Sequence, residues 1–231
     1  MNPSNDSTDR KSKQTPNLER VRVVSVALEL LDEVGFEGLT LRRLADKLGV
    51  KAAALYWHFE NKQDLIDQLA IRIIEDEFKK GKPDEETFAK LSWQELLEGM
   101  GHNMRKGLMS HRDGAAVLAN ADLSKARNFK GRHLLYERLL DQGFTLEQAL
   151  YAMFTIGRFT LGCVFEDQSD PRASGEVQKD YRHYTREAFK DQPRILNEFA
   201  KLDAGVMTDQ EISFKQGLEI IIAGIGAKLH K

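Results

Sequence analysis

The chain has one cysteine, Cys163, in 231 residues. A lone thiol cannot build a disulfide framework within a chain, which suits a reducing compartment and makes the cytoplasm the expected location. No apolar stretch reaches the ~18 residues a membrane span requires, so no membrane partner is expected. The start of the chain lacks the apolar core of a signal peptide. Alternating runs that would mark strands are missing, and so is any internal repeat. An excess of positive charge is missing too. The formal charge is −2, so any nucleic-acid contact has to be local. Spacings that carry catalysis are also absent: no H-E-x-x-H, phosphate-cradling loop or nucleophile elbow occurs. His102, His111, Asp113, His133 and Glu166 read as scattered capping or surface groups. No enzyme activity, metal or cofactor is expected.

Helical periodicity fills the space these absences leave. Val21, Val24, Leu28 and Leu31 mark the buried face of a first helix that starts near Pro16 and Asn17 and ends at Gly35 and Gly38. Thr40 is placed to cap a second helix. Counting from Leu41, small Ala45 stands fifth and Gly49 ninth, with Leu44, Leu48, Val50 and Leu55 fourth, eighth, tenth and fifteenth. Each has a physical task in a helix-turn-helix. Ala45 lets the second helix approach, Gly49 supplies a positive φ at the turn, and the aliphatics seal the seam. Lys51 to Trp57 forms the third helix. Asn61 caps a fourth, with Asp64 three places on, which turns Leu65, Leu69, Ile73 and Phe78 inward. Gly81 and Pro83 end it and set a boundary.

Beyond that boundary Ser92 caps a helix to about Met109. Residues 113–126 are less periodic and hold a short irregular helix. Asn128 to Leu140 is helical and stops at Gly143. Thr145 with Gln148 opens a long helix from Leu146 to Asp167. Ser169 to Gly175 is a loop, 176–200 is amphipathic and broken at Pro193, and Glu211 to Leu229 is a last apolar helix. The apolar runs Tyr151–Phe165 and Leu218–Leu229 carry Gly157, Gly162, Gly224 and Gly226. Glycine costs about 1 kcal/mol in a helix relative to alanine, so these positions imply close approach of another backbone. They mark a dimer interface, or else the central core of a monomer.

Together these features predict an all-α chain. Residues 1–17 form a disordered polar tail, whose Arg10, Lys11 and Lys13 touch phosphates or are merely solvated. Residues 18–81 form a helix-turn-helix DNA-binding domain, and 82–231 a second helical domain, which the resemblance described below makes an effector-binding and dimerisation domain. The Leu18–Lys62 stretch holds seven Lys/Arg and seven Asp/Glu. That balance keeps open a second reading, a helical ligand-binding or interaction protein without sequence-specific DNA binding.

The pattern A-x-x-L-L-x-x-x-G-x-x-x-L-T at Ala27–Thr40, the following RRLADKLGV, and LYWHFENKQDLI at Leu55–Ile66 resemble the DNA-binding domain of the tetracycline-repressor (TetR) family. Ser92–Gln94, Arg112–Ala115 and Gly143–Gly162 resemble the effector domain of the tetracycline repressors. The resemblance implies a homodimer whose N-terminal helices bind palindromic operator DNA and whose C-terminal core holds a small organic effector. It also implies roles for single residues. Thr40 and Lys62 match phosphate contacts. Tyr56, Trp57 and His58 match positions that mostly touch the DNA backbone, although Trp57 could serve the core and His58 could cap a helix end. Arg42 matches a position that reaches guanine, where a guanidinium can donate two bonds. Arg43 is a substitute for it or a solvated charge. Lys51, Ala52, Ala53 and Ala54 replace the polar readers of the tetracycline repressors, leaving thymine methyl contacts and implying a different operator.

In the effector domain the resemblance marks departures. Phe78 and Met100 stand where a histidine and an asparagine hold the drug, and Met104 replaces a phenylalanine. Leu118 stands for the metal-binding histidine, Leu135 for a glutamine, and Arg158 for the histidine that orders metal-bound water. Glu166 alone is kept. Magnesium needs oxygen ligands, which leucine does not offer, and an arginine repels the cation. The expected pocket is apolar, formed by Phe78, Met100, Met104, Leu118, Leu135, Leu150 and Met153. Its ligand is an amphipathic organic molecule, neutral or anionic, other than magnesium–tetracycline. Arg158 is either a polar anchor for an anion or the partner of Glu166 from the other subunit, and the methionines serve either the pocket or the plain core.

Overall fold

A computed structural model describes residues 20–81, 83–125, 130–169, 186–202 and 209–229. The polar tail with Pro16 and Asn17, the start at Asn128, and the loop residues 170–175 lie outside them. Among the described residues the architecture is all-α, as the periodicity predicts.

Helix α1 spans Arg20–Gly38 and buries Val23, Val24, Ala27, Leu28, Leu30 and Leu31. Val21, assigned inward by its spacing, is instead exposed. At Gly35 the backbone leaves the helix with φ 73. Helix α2, Leu41–Leu48, starts where the Thr40 hydroxyl accepts the Arg43 N–H at 3.2 Å. It stops at Gly49 in the left-handed region, φ 68. The segment Ala52–Trp57 is a short 3-10 helix, not the α-helix its composition predicts. Its bonds close over three residues, with Ala54 donating to Lys51 and His58 to Leu55. Helix α3 spans Lys62–Gly81, its start capped by the Asn61 side chain, which accepts the Asp64 N–H at 3.0 Å.

Helix α4, Glu85–Lys90, has no counterpart in the sequence reading. Its Asp84 cap accepts the Thr87 N–H and hydroxyl. Helix α5, Trp93–Met109, opens on a complete capping box between Ser92 and Glu95, whose bonds from Ser92 hold the Glu95 carboxyl below the usual range. Helix α6, Gly114–Ala119, follows Asp113, the only non-glycine residue with positive φ among those described. A single 3-10 turn, Leu123–Lys125, completes the irregular segment. Helix α7 spans Lys130–Asp141, and Gly143 (φ 92) ends the connection after it. Helix α8, Leu146–Ser169, opens on reciprocal Thr145–Gln148 bonds. The break expected at Pro193 is present: helical residues 186–188 give way to a turn at 189–191, and Pro193 opens the next helix, α9, Pro193–Phe199, where its missing N–H costs nothing. Helix α10 spans Gln210–Leu229.

Two apolar cores result. One joins α1, α2 and α3 to Leu108, Val117, Leu118 and Val164. The other joins Leu97, Leu139, Ile156, Phe214 and Leu218 farther along the molecule. Ion pairs bind the layers. Arg105 pairs with buried Asp167 at 2.9 Å and with Glu211, linking α5 to α8 and α10. Glu77, 4% exposed, accepts from Lys80 and lies 3.4 Å from Lys106. The Lys80 bond, then Lys106, holds its carboxyl below the usual range.

A clasp ties α1 to the turn between α5 and α6. The Asp113 carboxylate accepts the Phe36 N–H at 2.8 Å, and Asp32 accepts the Arg112 N–H at 2.9 Å and faces His111 Nδ1 at 3.0 Å. Arg112 donates to the Glu33 carbonyl at 3.1 Å. Gln168 near the end of α8 holds the same turn. It accepts the Ala115 N–H at 3.0 Å and donates to the carbonyls of Leu108 and His111.

Gly114 sits so close to the Leu108 backbone that a Cβ would collide with the carbonyl. Gly114→Ala is expected to cost about 1–3 kcal/mol of stability, read from urea unfolding midpoints. Because the Glu77 carboxyl titrates lower in the folded chain than in the unfolded one, its stabilisation is full above the unfolded value. It is lost as pH falls through the folded one. Glu77→Gln should therefore flatten the acid side of the thermal-stability profile while lowering stability at neutral pH.

Candidate nucleic-acid interface and effector cavity

The helix-turn-helix seam closes on Leu44, Ala45 and Leu55, all buried, with Leu48 and Val50 half-buried beside them. Burying that seam sends the other sides of the two short helices outward. Thr40, Arg42, Arg43, Lys51, Ala52 and Ala53 are exposed, as are Tyr56 and Lys62. Trp57 is 89% exposed, which removes the core role considered for it. A tryptophan left in water is an unusual surface feature unless something covers it. His58 is half-buried at the C-cap of the 3-10 helix, with its backbone N–H bonded to the Leu55 carbonyl.

The cations on this face are not equivalent. Arg43 reaches back to the Gly38 carbonyl at 3.1 Å. Lys47 is held by Glu33 at 2.5 Å and lies 3.7 Å from Glu29, and the Glu33 bond raises its pKa. Lys62 rests over the Phe36 ring at 5.6 Å. Arg42 and Lys51 carry no such tie among the described residues. The balanced charge of the segment is thus resolved by position, with Glu29 and Glu33 spent on Lys47 and the outward cations left uncompensated.

A cavity of about 300 Å³ opens between α3, α5, α6, α7 and α8. Of the nine residues assigned to an effector, Phe78, Met100, Met104, Leu118, Leu135, Met153 and Arg158 line it. Leu150 and Glu166 do not. Leu150 lies a turn before Met153 and Phe154, beyond the end of the cavity. Glu166 follows Gly162 by four residues on an exposed strip of α8. Eight lining residues escaped the sequence reading, among them Ile71, Asn103, Tyr136, Phe154 and Leu161. Helical spacing could have found several. Ile71 and Ile74 precede Phe78 by seven and four, and Phe154 and Leu161 flank Arg158 by four and three.

The lining is divided between the two cores. Leu118, Met104, Leu123, Ile74 and Leu161 pack with the N-terminal core, and Leu135, Met100, Tyr136 and Met153 with the distal one. Among the described residues, no carboxylate or imidazole lines the cavity. Arg158, exposed at its edge, lies over the Phe154 ring at 5.6 Å.

On the outer side of α8 and α10, Tyr151, Phe154, Phe165 and Ile220 are exposed, and a Cβ added at Gly157, Gly162 or Gly224 would meet open space. Gly226 differs: a Cβ there would lie 3.3 Å from the Trp93 ring.

Residues 23–69 match the model of bacterial regulatory proteins of the tetR family, and residues 85–229 match the tetracyclin repressor-like C-terminal domain. The chain belongs to the TetR family. Tetracycline repressor protein class C of Escherichia coli is 35% identical over 208 residues, 90% of either chain. Apo ActR of Streptomyces coelicolor superposes with a TM-score of 0.70 at 26% identity, covering 92% of this chain and 97% of that one. Class A TetR in complex with 5a,6-anhydrotetracycline and magnesium gives 0.63 at 30% identity over 89% and 96%. TetR-family relatives are DNA-binding transcriptional regulators, not enzymes. His111 and Asp113, weighed above as catalytic groups, belong to the clasp. No described helix is long and apolar enough to cross a membrane.

Two substitutions should separate base reading from backbone contact. Arg42→Ala is expected to cost ~1–3 kcal/mol at one base pair of the operator, while Trp57→Ala weakens all duplexes alike. Competition binding against single-base operator variants measures both, and uniform weakening by Arg42→Ala would contradict its reading role.

Proposed function

We propose that the chain is a homodimeric repressor. Residues 18–81 bind a palindromic operator, and a small organic effector other than magnesium–tetracycline, entering the 82–231 domain, releases it. The cavity chemistry carries this reading. A magnesium–drug chelate requires hard oxygen or imidazole ligands, and the lining offers only the Asn103 amide and the Tyr136 hydroxyl besides Arg158. The exposed Arg42, Lys51, Tyr56 and Trp57 supply the chemistry of phosphate and base contact. Open Gly162 and Gly224, with exposed Tyr151 and Phe165 of α8 and Ile220 of α10, suit a second copy, because two equivalent faces cover each other in a twofold dimer.

The geometry also supports a route from cavity to DNA. Leu118 brings α6 to the cavity wall, and Gln168 fastens α8 to the turn that carries Asp113. Asp113 and Asp32 fasten that turn to α1. A ligand that parts the two cores shifts α6 and α8 together, and the clasp passes the shift to α1 and the reading helices. Gln63 adds a second tie, from α3 to the Asn120 carbonyl at 2.7 Å.

The test uses duplexes from the intergenic DNA beside the gene, where an inverted repeat is expected. Fluorescence anisotropy should show affinity for it falling at least about tenfold between roughly 50 and 200 mM salt. Magnesium with tetracycline should leave the complex intact. Equal binding to random duplex would overturn the repressor, and release by magnesium–tetracycline would overturn the effector assignment.

A further inference from the structure

Among the described residues, the cavity lining has one cation, Arg158 at its exposed edge, and no acid. Arg158 makes no ion pair among the described residues; its recorded contact is the Phe154 ring. Stacking on a ring face leaves the edges of a guanidinium free, and those edges are its hydrogen-bond donors. An unpaired charge beside an apolar wall is costly when water is excluded, unless an opposite charge enters with the ligand.

We infer that the effector is an apolar organic monoanion, a carboxylate or an equally acidic enol, whose charge sits on the Arg158 guanidinium. Its apolar body lies along Met153 and Met104 toward Leu118. This rests on the reading of the cavity as the effector site given above. A guanidinium fork matches a carboxylate through two parallel N–H bonds. One cation with neutral neighbours fits a single negative charge. A phosphate ester, with up to two charges and more acceptor atoms, would leave several unsatisfied here. The body must be apolar because the remaining wall is leucine, isoleucine, methionine and phenylalanine apart from Asn103 and Tyr136. Its placement across the seam between the cores gives such a molecule leverage on α6, while the anion fixes its orientation relative to α8.

The proposal is tested by titration calorimetry on the full-length protein, without DNA. The probes are octanoate and biphenyl-4-carboxylate, each paired with its neutral carboxamide. The acids should bind about tenfold or more tightly than the amides. Arg158→Gln should bring that ratio to about one while leaving amide affinity intact. Arg158→Glu should prefer octylammonium to octanoate, a reversal that a merely structural role would not produce. Leu118→Trp should abolish binding of acid and amide alike. Equal affinity of acid and amide for the wild type, no binding by any probe, or a preference that survives Arg158→Gln would overturn the inference. So would unimpaired binding to Leu118→Trp. Dissociation of the dimer by Arg158→Gln, seen by light scattering, would assign the guanidinium to the subunit contact and overturn it as well. Operator binding is measured separately, so a protein that ignores every inverted repeat would fail the repressor reading while the acid-to-amide ratio still stood.

Discussion

The carboxylate of Asp113 fixes the reading head to the ligand-sensing core. It accepts the Phe36 N–H at the point where Gly35 turns α1 out of its helix. Both sides of this contact use uncommon backbone. Gly35 has φ 73, and Asp113 itself has φ 56. Left-handed backbone is disfavoured for a residue with a side chain, and aspartate is among the few that adopt it readily. A Cβ at Gly35 would lie 2.7 Å from Asp113 Oδ2, so the close approach needs glycine on one side and a short acid on the other. With Asp32 holding Arg112 and Gln168 holding the same turn from α8, three elements meet at one corner.

That corner is the route by which the proposed effector cavity would act on the helix-turn-helix. The cavity is a gap between two cores, not a hole in one of them. Close-packed cores transmit displacement because they do not compress. An occupant of the gap acts on Leu118 from one side and on Leu135 and Met153 from the other. Helix α6 is only six residues long and begins at the clasp, so it has little length over which to absorb a shift.

Local chemistry was the part of the fold most legible in the sequence. The caps at Thr40, Asn61, Ser92 and Thr145 were read from side chains that bond to backbone within three residues, and all four make such bonds. The same signal at Asp84 and Thr87 went unread because the glycine and proline before it suggested only a break. The third helix is legible from composition as a helix, but composition does not separate i→i+3 from i→i+4 bonding, so its 3-10 winding is not. Seven of the effector residues line one cavity because the resemblance supplied positions that a single chain cannot locate by itself. Leu150 and Glu166 fell outside because the turn of α8 aims them elsewhere. The Arg112–Ala115 motif was visible as a resemblance, but its work as a clasp needed Phe36 and Asp32, some eighty residues away, to be brought beside it.

Uncoupling the corner from the cavity tests the account most directly. An organic carboxylate that binds the wild-type cavity is titrated into operator complexes of the wild type and of Asp113→Gly, which removes the acceptor of the Phe36 N–H while tolerating the positive φ, with ligand binding and DNA release followed in parallel. The account predicts that both proteins bind the carboxylate with similar affinity and that the wild type releases DNA at far lower ligand concentration than the variant. Identical release curves for the two proteins would contradict it.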